Sequence, residues 1–145
     1  MNENEELLNY VFKTSEMGKF TIETLLYEIE DKDNKIKKAS EDILKEYEKF
    51  LSKSEEYLNK ENCEIVKLNK VDKMGASMGI KREVAKDNGD SNIASMLVQG
   101  LTMGIVEITA KIDNFKKEAD KTYIKFSEDF LEFQENSVEK LKKYL

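Results

Sequence analysis

The sequence predicts an all-helical chain. Proline is absent and only six glycines occur in 145 residues, 37% of the side chains are Asp, Glu, Lys or Arg, and apolar residues return at alternating spacings of three and four. Few residues in it interrupt a helix, and the charge density is that of long helices with solvated outer faces. A chain of this length encloses one hydrophobic core but not two. The expected architecture is therefore one domain spanning 1–145, an up-down four-helix bundle with a long crossover between the second and third helices.

The first helix is expected over about 5–31, where Leu8, Val11, Ser15, Gly18, Ile22, Leu25 and Ile29 fall on one face. Asp31-Lys32-Asp33-Asn34 supplies turn and capping chemistry. A second helix over about 34–61 repeats the pattern with Ile36, Ser40, Ile43, Tyr47, Phe50, Ser54 and Tyr57, widened by Leu44, Leu51 and Leu58. The short link makes these two an antiparallel hairpin. The stretch 62–90 has weaker periodicity and reads as a crossover with a short helix at about 68–86, one side of it formed by Leu68, Val71, Met74 and Met78. Asp90 or Ser91 is the expected cap of the third long helix, 91–115, whose seam is Ala94, Val98, Leu101, Ile105, Ile108, Ile112 and Phe115. The fourth, 117–144, carries an aromatic ladder of Tyr123, Phe126, Phe130 and Phe133, expected in the core. Neither glycine nor proline separates the last two helices, so one long or kinked helix is the alternative there.

Two helical hairpins joined by one long crossover are the connectivity of ferritin-like bundles. In helix lengths, in the position of the crossover, and in the stretch Ile93-Ala94-Ser95-Met96-Leu97-Val98-Gln99-Gly100 followed by Met103-Gly104-Ile105, the chain resembles bacterial proteins of ferritin-like architecture. The resemblance implies a bundle core and, in the metal-binding members, a di-iron centre held by glutamates and Glu-x-x-His pairs. This chain has no histidine. The iron chemistry of that family is therefore not expected of it, and what survives is a carboxylate-only site drawn from Glu23, Glu28, Glu107, Glu132 or Glu135.

Charge and composition narrow the partners. The net charge of −6 and a single arginine, Arg82, disfavour nucleic acid. The acidic N-terminus has no secretory pattern, and the most apolar stretch, Ile93 to Ile112, is interrupted by Gln99, Glu107 and Lys111, so no membrane span is expected and a cytosolic location is. Cys63 stands alone without a histidine to activate it, and no motif calls for a cofactor. The chain is expected not to be an enzyme.

The glycines offer the candidate site. Gly18 interrupts the first seam and Gly100-x-x-x-Gly104 lies on the third long helix, each costing about 1 kcal/mol of helix propensity. Close approach of helices would offset that cost, and so would a slot for a ligand. Four methionines, Met17, Met74, Met78 and Met103, each precede a glycine. Gly100, Met103, Gly104 and Glu107 are the expected ligand-binding residues, with Glu107 also four residues from Lys111 and in the favourable order for an ion pair. Two functions follow as expectations: a non-catalytic helical interaction protein that self-associates, as a homodimer through Leu44, Leu51, Leu58, Ile93 and Leu97 if these are exposed, or pairs with another helical protein; and, alternatively, a bundle that binds a small ligand or a cation.

Overall fold

The computed structural model describes residues 2–145, and every regular element among them is helical. In chain order these are α1 (Glu3–Glu28), α2 (Lys37–Lys60), α3 (Lys70–Lys86), α4 (Asp90–Phe115) and α5 (Lys121–Lys142). The all-helical expectation holds. The crossover helix, expected at about 68–86, is α3 with 17 residues, and counting it the chain is five-helical.

Capping accounts for most of the boundaries. Asn2 caps α1 by accepting a hydrogen bond from the Glu5 N–H (2.8 Å), and Glu3, Glu5 and Glu6 place negative charge against the positive end of the helix dipole. Asn69 caps α3 through the Asp72 N–H (2.8 Å), and Asp120 caps α5 through the Thr122 N–H (2.8 Å). The α4 cap differs from expectation. Gly89 occupies that position without a side-chain bond, and Asp90 is the first helical residue. Its carboxylate is turned instead to the start of α2, where it accepts from the Asn34 side chain (2.9 Å) and the Lys35 N–H (3.1 Å). This junction engages residues 34 and 35, and α2 begins at Lys37 rather than at 34. At the other end, the N–H groups of Lys116 and Ala119 close onto the carbonyls of Ile112 and Phe115, and α5 starts afresh from Asp120. α4 and α5 are separate helices.

The same contacts fix the directions. α2 and α4 start at one end, joined by Asp90. At the opposite end the Tyr123 hydroxyl donates to Glu61 (2.6 Å) and the Asp120 N–H donates to Asn4 (2.7 Å), so α5 starts where α1 starts and α2 finishes. α1 and α5 therefore run one way, α2 and α4 the other, and the segment between α2 and α4 climbs the whole length of the molecule. α1 packs against α2, α4 and α5, and α5 against α2 and α4. α3 lies outside, on α1. Before it, the extended strap is held by Asn9, whose side chain donates to the Glu64 carbonyl (2.9 Å) and accepts from the Val66 N–H (2.8 Å), and by Glu16, which accepts from the Leu68 N–H (2.7 Å).

In α1 and α2 the core follows the expected seams, with Leu8, Val11, Ile22 and Leu25 of α1 facing Ile43, Tyr47 and Leu58 of α2, whereas in α4 Ile93, Leu97 and Gly104 are buried and the expected Val98, Ile105 and Phe115 only half-buried. The aromatic ladder is buried and interleaves with α2: Phe50 lies 5.1–5.6 Å, centroid to centroid, from Phe126, Phe130 and Phe133, and Tyr57 lies 5.0 and 5.1 Å from Tyr123 and Phe126. Two expectations fail. Leu58, Ile93 and Leu97 are buried and Leu44 and Leu51 half-buried, all within the core or packed on it, so they form no exposed dimer face. On α3 the side bearing Val71, Met74 and Met78 faces solvent, because Ile80 and Val84, on a different stripe, are the residues buried against the core.

Candidate functional site

Where α1 and α4 diverge, a groove of about 530 Å³ opens between them, with Ile43 and Tyr47 of α2 beneath and Leu68 of the strap at its edge. Two glycines on its walls, Gly18 and Gly104, lie hard against side chains of other helices. A Cβ at Gly18 would lie 2.6 Å from Cε1 of Tyr47, so only glycine lets that ring lie flat against α1. A Cβ at Gly104 would collide with the Gln134 amide of α5. Gly100 is different: nothing lies within 4 Å of a Cβ placed there. Close approach explains Gly18 and Gly104, and does not explain Gly100, which faces open space.

All four residues singled out from the sequence, Gly100, Met103, Gly104 and Glu107, line this groove. Met17 and Met96 join Met103 on its walls, whereas Met74 and Met78 do not reach it. α4 contributes Met96, Leu97, Leu101 and Met103 to its apolar lining, and α1 contributes Tyr10, Met17 and Ile22. No charged side chain lies between Asp90 and Glu107. One window of α4, with a mean hydropathy of 1.5, is long and apolar enough by length and composition to cross a membrane, and only 33% of that window is buried. The sequence expectation of an interrupted stretch thus understated how apolar α4 is and how much of it is left uncovered.

Polar groups concentrate toward one end. The Tyr10 hydroxyl donates to the Gly104 carbonyl at 3.5 Å, and its pKa is pushed up to about 12, chiefly by burial, with Thr14 acting in the opposite sense and Glu107 adding to the rise. Burial likewise holds the Tyr47 hydroxyl protonated well beyond its ordinary range, with Tyr10 contributing. Lys111 pairs with Glu6 (3.2 Å) and lies 5.3 Å over the Tyr10 ring, and it makes no ion pair with Glu107. The helical Glu107–Lys111 pair is therefore replaced by a bond between α1 and α4. Glu107 is exposed. Behind Gly104, Gln134 is wholly buried, and neither of its amide atoms has a hydrogen-bond partner among the described residues.

Compared with protein-family models, with curated proteins and with solved structures, the chain matches none.

The other candidates do not converge. Glu23, Glu132 and Glu135 are exposed and Glu28 is half-buried, and no group of three carboxylates or thiols that could hold a metal ion occurs among the described residues. Cys63 is half-buried, its thiol directed at the Glu61 carbonyl (3.7 Å), and burial together with the carboxylates of Glu5 and Glu61 raises its pKa. That is the opposite of an activated nucleophile. Sequence reasoning missed Tyr10, Met96 and Gln134. Gln134 was within reach of it, because Tyr123, Ser127, Phe130, Gln134, Ser137 and Leu141 follow the same three-four spacing and are all buried.

Proposed function

We propose that the chain is a non-catalytic helical binding protein of ferritin-like outline whose α1–α4 groove takes an apolar partner. The observation that carries this reading is the groove itself, walled by Met17, Met96 and Met103 and open at Gly100. Unbranched thioether side chains adapt to the shape of what they contact, and a helix glycine with nothing over it gives up helix stability for no contact within the chain. The ferritin-like outline is supported by the paired hairpins and by the return of the chain that starts α2 and α4 at one end. That family builds its metal centre between facing helices with histidine and glutamate; this chain has no histidine and lines the space between α1 and α4 with tyrosine, methionine and glycine. The volume also suits a small molecule, since ligand sites commonly enclose about 300–1,000 Å³.

The test is binding of a neutral, environment-sensitive dye such as Nile red to dilute protein, compared with Gly100→Trp. Gly100 lines the opening and a Cβ there meets no atom within 4 Å, so the indole starts from open space at the mouth of the groove. We expect dye affinity to fall at least about tenfold with the far-ultraviolet circular dichroism unchanged. Equal binding by both proteins would move the apolar site elsewhere and sink the reading.

A further inference from the structure

We infer that the groove is a site for an unbranched fatty acid, its carboxylate held at the end formed by Tyr10, Lys13 and Tyr47 and its hydrocarbon chain laid between α1 and α4 toward Met96. The inference rests on the binding role proposed for the groove and names the ligand class. Because α1 and α4 run in opposite directions, the lining is sorted along its length. Tyr10, Lys13 and Thr14 of α1 lie at the end that meets Glu107 and Lys111 of α4, where Lys111 pairs with Glu6 and Tyr10 bonds to the Gly104 carbonyl. Ile22, Ile43, Met96 and Leu97 line the other end, and among the described residues Thr21 is the one polar side chain there. Tyr10 and Ile22 are about 18 Å apart at the helical rise. A polar end followed by a long apolar trough has the shape of a linear amphiphile, and the unbranched side chains of Met17, Met96 and Met103 suit a flexible tail.

A buried hydroxyl without a partner accounts for the polar head. Tyr47 is 6% exposed, and a Cβ at Gly18 would fall on its Cζ, the carbon that carries the hydroxyl, so the hydroxyl end of the ring stands at the groove wall. That hydroxyl makes no hydrogen bond among the described residues, and a buried polar group left without a partner is costly. It is a protonated donor at neutral pH and calls for an acceptor.

Charge selects the acceptor. The lining holds two lysines and one glutamate, a positive surplus in a chain of net charge −6. Lys111 is taken by Glu6 at 3.2 Å. The other ion pairs of α1 engage Glu16 and Lys19 and leave Lys13 without a carboxylate among the described residues. Lys13 follows Tyr10 by three residues and precedes Met17 by four, on the same helical face as both. An ammonium and a phenol at the mouth of an apolar trough are matched by a carboxylate, which accepts from each. An alcohol satisfies the phenol alone, and an alkylammonium is repelled by Lys13. Glu107, exposed on the α4 side of the same end, opposes an anion there, so its removal gives a second reading of the charge on the head group.

Isothermal titration calorimetry with decanoate, decan-1-ol and decylamine, which share one tail and differ in head group, tests the assignment. Wild type should bind decanoate at least about tenfold more tightly than decan-1-ol, and decylamine more weakly than either. Lys13→Gln and Tyr47→Phe should each lower decanoate affinity at least about fivefold, Lys13→Gln without effect on decan-1-ol, and Glu107→Gln should raise decanoate affinity about threefold. Circular dichroism confirms an unchanged fold in each variant. Absence of decanoate binding, decan-1-ol or decylamine bound as tightly as decanoate, or a decanoate preference that survives either Lys13→Gln or Tyr47→Phe would overturn it. Nile red, which carries no charge, separates this from the underlying reading. If Gly100→Trp abolishes dye binding while wild type shows no preference for decanoate, the groove remains an apolar site and only the fatty acid assignment fails. If neither dye nor decanoate responds to Gly100→Trp, the groove fails and the fatty acid assignment fails with it.

Discussion

Placing alanine at Gly18 and at Gly100 should shift stability in opposite directions, although both positions lie inside long helices and on the walls of one groove. In each case alanine gains about 1 kcal/mol of helix propensity and loses conformational freedom in the unfolded chain. At Gly100 nothing opposes that gain, since no atom lies within 4 Å of the new Cβ. At Gly18 the Cβ enters the Tyr47 ring, which is buried and held edge-on to Phe133 at 4.9 Å between centroids. Forcing a buried ring from its seat costs about 1–3 kcal/mol. The net effect is then a loss of about 1 kcal/mol at Gly18 against a gain of about 1 kcal/mol at Gly100. For a chain of this size 1 kcal/mol is about 3 °C in Tm, so the two variants should melt about 6 °C apart. Thermal unfolding followed by circular dichroism reads this directly. The control is Gly18→Ala in a Tyr47→Leu background, where the ring is gone and the alanine should no longer destabilise. If Gly18→Ala raises Tm as much as Gly100→Ala does, the Tyr47 packing argument is wrong.

The remaining expectations concern other parts of the structure. Gln134→Met keeps the shape of the side chain and removes an amide with no partner, so it should stabilise the fold by about 1–2 kcal/mol in urea unfolding; a destabilised variant would show that the amide is satisfied. Asn9→Ala removes both bonds to the strap and should cost about 1–3 kcal/mol, with hydrogen exchange accelerated at the Val66 amide before any change in α2 or α5. Raising pH should leave stability unaffected by Tyr10 up to about pH 10, where the unfolded phenol begins to ionise, and erode it between about 10 and 12 as the unfolded state loses a proton that the folded state keeps. Tyr47 and Tyr123, both raised chiefly by burial, act in the same sense, and the phenolate absorbance of folded protein should lag that of denatured protein over this range.

Periodicity carried the helices and most of the core because it reports which face is apolar, and in α1, α2 and α5 the apolar face is the buried one. It failed on α3 for the same reason. Val71, Met74 and Met78 form a regular stripe, and a stripe carries no mark of whether the rest of the chain covers it. Boundaries slipped where a side chain bonded to a distant part of the chain rather than to its own helix end, as Asp90 and Asn34 do. Gly100, Met103, Gly104 and Glu107 were legible as unusual residues in a helix, but the groove they line was not. It depends on Tyr10, Met17 and Tyr47 arriving from two other helices, and no local pattern encodes how far apart α1 and α4 come to lie.

The bond from Asp90 to Asn34 and Lys35 has a consequence for the order of folding. α1 with α2, and α4 with α5, are each joined by a short turn and pack through contacts close in sequence, so each pair closes a small loop. Asp90 ties residues more than fifty positions apart, and it can form only after the strap and α3 have travelled the length of the molecule. Its closure entropy is the larger one, and mixed local and distant contacts slow folding relative to purely local ones. Docking of two preformed halves, rather than formation of any helix, is thereby made the slow event, and Asp90→Ala should slow refolding more than a substitution of equal cost inside either hairpin.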